Sequence, residues 1–100
     1  MTEKEFLEDT VSDVMELFDI VRNVRREHVK IMLIEGIKMY RKRLSKSCFS
    51  ESPHPQVKAF VAYALEALTL INGQMVDRKK SGEFFGEVFD RMRSICRDFK

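Results

Sequence analysis

Only two prolines occur in the 100 residues, at Pro53 and Pro55, so the stretches on either side of them contain nothing that forbids a helix. Glycine is equally sparse, at Gly36, Gly73, Gly82 and Gly86. A sheet-rich fold needs turn residues every 8–12 positions or so, which this chain does not supply. The arrangement of apolar residues then decides between helix and irregular chain, and it repeats at helical spacing almost throughout.

Thr2 and Glu5 stand three residues apart ahead of the first apolar stripe, the spacing of a reciprocal capping box. Leu7, Val11, Val14, Phe18 and Val21 follow at steps of four and three. Phe6, Met15, Leu17, Ile20 and Val24 widen that stripe, so the helix has a face for more than one neighbour. The same register carried onward would put Arg25, His28 and Glu35 on the apolar seam. It therefore ends near residue 24, and a turn at 22–26 is favoured over one long helix from 3 to 46 with a slipped register. Asn23 is a candidate cap for the second helix, whose stripe is Val29, Leu33, Gly36, Ile37, Tyr40 and Leu44, with Ile31, Met32 and Ile34 beside it.

Ser45 to Pro55 is rich in hydroxyl residues and reads as a loop. Pro55 suits the first position of a third helix, where its missing N–H is not needed. The stripe Val57, Phe60, Val61, Ala64, Leu65, Leu68 and Ile71, with Ala59, Ala62 and Ala67, leaves only Lys58 and Glu66 charged, as expected of a central helix. Asn72-Gly73 is a candidate left-handed end to it. The fourth stripe is Phe85, Val88, Phe89, Met92, Ile95, Cys96 and Phe99. Its start is harder to place: Met75 to Lys80 can be a short turn or the first coil, with Ser81 as a cap, and Gly82 and Gly86 weaken its opening turns. These patterns predict an all-α, four-helix bundle-like single domain over residues 1–100, with helices about 3–22, 25–46, 55–72 and 78–98, and with dimerisation as a means of completing the bundle.

Hydrophobic residues make up 44% of the chain and charged residues 34%, enough to collapse and to remain hydrated. No apolar run approaches the ~20 residues that cross a bilayer, so no membrane partner is expected. The opening Met-Thr-Glu-Lys-Glu lacks the basic and apolar regions of a secretory signal, and two isolated cysteines, Cys48 and Cys96, suit a reducing compartment. An intracellular protein, cytoplasmic or nuclear, is the expectation.

No catalytic, cofactor-binding or metal-binding residue is expected. His28 and His54 are the two histidines; one lies in a basic helical turn and the other between two prolines in the loop, and neither is expected to act as a catalyst. Structural zinc needs four ligands at characteristic spacings, and the two lone cysteines provide none. Glu5, Glu8, Asp9, Asp13 and Glu16 share the first helix but read as a solvated acidic face near a helix N-terminus. The Glu-x-x-His pairs of di-iron bundles are missing, and Gly82 with Gly86 lack the spacing and the preceding strand of a phosphate loop.

Charge is the informative feature. The formal net charge is +2, but residues 1–20 hold seven carboxylates against Lys4, a net of −6, while residues 22–46 hold nine Lys or Arg against Glu27 and Glu35, a net of +7. Two explanations compete. Antiparallel packing of the first two helices would set the two faces side by side within the molecule. Otherwise Arg22, Arg25, Arg26, Lys30, Lys38, Arg41, Lys42 and Lys46 form a basic ridge for phosphates or an acidic partner. Such a ridge would recognise phosphate and shape rather than sequence. A helix-turn-helix would have to turn at Leu70 to Gln74, ahead of a second basic cluster at Arg78, Lys79 and Lys80.

Six Met and eight Phe exceed what four short helices can readily hide, and Phe6, Leu17, Ile31, Ile34, Phe84 and Phe99 lie at the stripe margins as a candidate partner surface. The expected function is that of a non-enzymatic helical protein–protein interaction module that self-associates, as a homodimer or with another protein, through an apolar surface next to the basic second helix. The alternative is a small nucleic-acid-binding protein that contacts the phosphate backbone through residues 22–46.

Overall fold

The computed structural model describes residues 1–75 and 78–99, with side chains for 1–75 and 83–99. Four helices account for nearly all of it: α1 (Glu3–Asn23), α2 (Glu27–Ser45), α3 (Pro55–Gln74) and α4 (Arg78–Asp98), with a 3₁₀ turn at Cys48–Glu51 between α2 and α3. No strand occurs among the described residues, and the architecture is an all-α, bundle-like fold. No described helix is long and apolar enough to cross a membrane.

The α1 N-terminus is closed by the capping box expected of its sequence. The Glu5 N–H donates to the Thr2 hydroxyl at 3.1 Å, and the Thr2 N–H donates to the Glu5 carboxylate at 3.2 Å. These bonds hold the Glu5 carboxyl below its usual range, the Thr2 backbone donor contributing most. The chain leaves the helix at Val24, in extended conformation, so a turn separates α1 from α2 rather than a slipped register. Asn23 does not cap α2: its amide turns back to the Asp19 carbonyl at 2.8 Å. Arg26 occupies the N-cap of α2 without a side-chain cap bond.

Pro55 opens α3 as expected. The helix continues through Asn72 and Gly73 to Gln74, with neither residue in the left-handed region. The favourable i to i−4 bonds of an already buried helix outweigh the local preference of Asn-Gly for a turn. Because Leu70 to Gln74 is helical, the helix-turn-helix geometry has no turn there. Ser81 lies inside α4 rather than at its cap, and the residues immediately before Arg78 lie outside the described ones.

α3 packs against α1, α2, α4 and the 3₁₀ turn, as its nearly all-round apolar composition requires. Val57, Phe60, Ala64, Ala67, Leu68 and Ile71 are all fully buried in it. α4 covers α3 most extensively and also meets α1, where Phe18 stacks on Phe85 at 4.0 Å and Phe85 on Phe89 at 5.5 Å. Phe6 stacks on Phe49 of the 3₁₀ turn at 4.1 Å and meets Phe60 edge-on at 6.1 Å. Phe6 is thus core, 7% exposed, and does not belong to a partner surface; the 3₁₀ turn folds back over a ring that the helical stripe alone would leave at its margin.

α2 is the peripheral helix. It packs on α3 and barely touches α1, and only Ile37 and Leu44 are buried in it. Its principal tie to α1 is the Tyr40 hydroxyl, which donates to Asp13 at 3.2 Å. Burial first, and then the Asp13 carboxylate, push the Tyr40 phenol up to about 12. The molecule measures 40 × 24 × 16 Å. In so thin a slab every helix keeps an outward face, and the accessible surface of 6643 Å² exceeds the ~5,900 Å² typical of a monomer of this mass.

Candidate interaction surface

The outward face of α2 carries three large, strongly exposed apolar side chains. Ile31 is 58%, Met32 71% and Met39 65% exposed. At 100° per residue, Met32 and Met39 stand roughly 140° round the helix from the buried line of Ile37 and Leu44, so they cannot reach the core. Gly36 lies on the edge of the same face, and a Cβ there would meet nothing within 4 Å. Gly86 of α4 is equally open, so neither glycine marks a close helix contact.

Six residues at the stripe margins divide three ways. Ile31 and Phe84, 58% and 57% exposed, lie open. Leu17 and Phe99 are half-buried against the core, and Ile34 is half-buried, its carbonyl accepting from the Asn72 amide at 3.4 Å. Phe6 is buried. Met32 and Met39, outside those six, are surface residues as well, and their seven-residue spacing on the side of α2 away from Ile37 is the sequence signal that marks them.

The basic ridge does not form one row. Arg22 is exposed with its guanidinium 5.5 Å above the Phe18 ring, and Arg25 and Arg26 are exposed in the link before α2. Lys30 is drawn to Glu27 at 3.7 Å and Lys38 to Glu35 at 3.6 Å. Lys38, Arg41, Lys42 and Ser45 converge on a recess of about 250 Å³ closed by Leu65, and Arg41 Nε is buried with no hydrogen-bond partner among the described residues. Lys42, Arg43 and Lys46 are exposed. Arg26, at the N-cap of α2, and Lys42 are separated by roughly 24 Å along its axis. The side chains of Arg78, Lys79 and Lys80 lie outside the described residues.

Among the described side chains no ion pair joins α1 to α2. Every pair is local along one helix or between neighbours in sequence, except His54 with Glu3 at 3.4 Å. The segregated charge is therefore not explained by pairing inside the molecule. Its physical origin is the packing: α2 lies on α3 and leaves the outer carboxylates of α1 out of reach of its cations.

A cavity of about 750 Å³ opens where the start of α1, His54 and the end of α4 meet, with Glu3, Lys4, Gln56, Ser94, Asp98 and Phe99 on its walls. Glu3 is its organising group, accepting from the buried Ser52 hydroxyl at 2.6 Å while approaching His54 Nε2. Lys4 donates to the Cys96 carbonyl, and His54 meets the Phe99 ring edge-on at 6.0 Å. A Ser–His relay requires the hydroxyl on the imidazole; here Ser52 is bonded to the carboxylate, and the set clamps the chain ends of three elements together. Cys48 and Cys96 are free thiols. Cys48 is exposed, and burial pushes the half-buried Cys96 thiol up. No cluster of three metal-ligating side chains occurs among the described residues.

No protein family, curated protein or solved structure matches this chain.

Proposed function

We propose that this protein is a non-enzymatic interaction module that self-associates, and that the outer face of α2 is its partner surface. The observation that carries the reading is the exposure of Ile31, Met32 and Met39 on one face of a helix held mainly by α3. Exposing such side chains together is unfavourable in water by ~25 cal/mol per Å², and grouped exposed apolar residues of this kind mark association sites. Methionines suit such a surface, because their flexible thioether chains adapt to a partner. Its cations, Lys42, Arg43 and Lys46, would tune which partner docks and how fast. The two free cysteines accord with an intracellular setting.

A second reading, phosphate-backbone binding, draws on the exposure of Lys42, Arg43 and Lys46 without ion-pair partners among the described side chains. Light scattering after size-exclusion chromatography, at low and high salt and with a mixed RNA or DNA duplex, separates the two. A dimer that ignores the duplex supports the interaction module. A monomer that forms a complex with the duplex at low salt and releases it at high salt overturns that reading in favour of phosphate binding.

A further inference from the structure

We propose that the occupant of the α2 outer face is the acidic groove between α1 and α4 of a second copy of this chain, in a reciprocal pair. The proposal rests on the self-association reading and adds which two surfaces meet.

The groove is open, about 560 Å³, with Val11, Met15, Ile20 and Phe89 as its apolar lining and Glu16 and Asp19 on its rim. Arg93, the cation of that lining, is drawn to Asp90 at 4.0 Å. Met15 and Ile20 are themselves exposed. The groove therefore has the same character as the α2 face, an apolar strip bordered by charge, but with the opposite sign. Lys42 and Arg43 lie beyond Met39 in α2, with Lys46 at its C-cap, as Glu16 and Asp19 lie among Met15 and Ile20 in α1.

Within one chain the two surfaces do not pair their charges. α1 meets α2 through Asp13 and Tyr40, whereas Met15 and Val11 lie on the far side of α1, beside Phe89 of α4, and among the described side chains no ion pair joins α1 to α2. Within the fold the −6 of residues 1–20 and the +7 of residues 22–46 stay apart, and between two chains they meet. Pairing α2 with α2 would instead oppose two helices of net positive charge, a juxtaposition that interfaces avoid. A two-fold pair closes with two equal contacts, each setting one α2 on one groove, whereas a one-way contact would propagate into an open chain.

Charge reversal tests this directly, because every substituted side chain is exposed. One variant carries Lys42→Glu, Arg43→Glu and Lys46→Glu; the other carries Glu16→Lys and Asp19→Lys. Circular dichroism establishes that both remain helical, and light scattering over a dilution series at low salt gives the dimer dissociation constant. Each variant alone should dimerise at least about tenfold more weakly than the parent chain, since both of its contacts become like-charged. An equimolar mixture should recover to within about threefold, because in the mixed pair both contacts regain opposite charges. Parent-like dimerisation of the Glu16→Lys/Asp19→Lys variant, or a mixture that does not recover, overturns this docking while leaving self-association standing. Parent mass growing beyond two copies overturns the reciprocal closure. A parent chain that stays monomeric at every concentration overturns both proposals, and binding of a duplex through Lys42, Arg43 and Lys46 would then put phosphate in the partner's place.

Discussion

Replacing Gly36 and Gly86 by alanine should stabilise this protein. Both glycines lie inside helices, α2 and α4, and neither has a positive φ. A Cβ built at either position meets nothing within 4 Å, so the substitution carries no steric cost. What remains is the difference in helix propensity, which comes mainly from restricting the unfolded chain and amounts to about 0.5–1 kcal/mol per site. The sites are on different helices, so the effects should add to about 1–2 kcal/mol. For a chain of this length each kcal/mol raises the melting temperature by about 4–8 °C. Thermal melts followed by circular dichroism, at one fixed protein concentration so that association does not vary between samples, would measure the shift. A lower melting temperature for either single variant would refute the reasoning, since it would require Gly36 or Gly86 to be packed closely or to adopt a conformation that alanine cannot.

Three further outcomes follow from the packing and the polar contacts. Leu68→Ala, at a fully buried position of the central helix, should cost about 2–5 kcal/mol in denaturant unfolding, whereas Phe84→Ala, at an exposed one, should cost under ~1 kcal/mol in the same assay. Ser52→Ala removes the buried donor to the Glu3 carboxylate and should cost about 1–2 kcal/mol, measured the same way. Tyr40 has its pKa raised in the folded state from 10 to about 12; the associated stability is present below pH 10 and is lost as the pH rises through 12. Stability should therefore fall more steeply between these values in the parent chain than in Tyr40→Phe, and ultraviolet titration should show the Tyr40 phenol still mostly protonated at pH 11.

The sequence carried those features that depend on spacing within one helix. The capping box at Thr2 and Glu5, the proline start of α3 and the four apolar stripes are local, and each fixes an element without reference to its neighbours. Features set by packing between elements were less legible. Phe6 lies at the margin of its own stripe and becomes core because the 3₁₀ turn at Cys48–Glu51 brings Phe49 onto it. Asn72-Gly73 favours a turn locally, yet stays helical in a helix buried as far as Gln74. Gly36 was assigned to the inner stripe of α2, although its angular position puts it at the outer edge. The candidate surface is half legible: Ile31 stands at the margin of the α2 stripe, whereas Met32 reads only as a neighbour of that stripe and Met39 belongs to none of the stripes. The charge segregation was fully visible, but only the placement of α2 on α3 shows that α1 and α2 do not pair their charges.

The central claim, that the outer face of α2 is covered by association, is tested most directly by sedimentation equilibrium of the parent chain beside a Met32→Asp/Met39→Asp variant. Both residues are exposed, so the variant should keep its helicity. The account predicts a parent mass approaching twice 11.8 kDa as concentration rises, and a variant that stays at the monomer mass. A parent chain that remains monomeric, or a variant that associates as tightly as the parent, would contradict it.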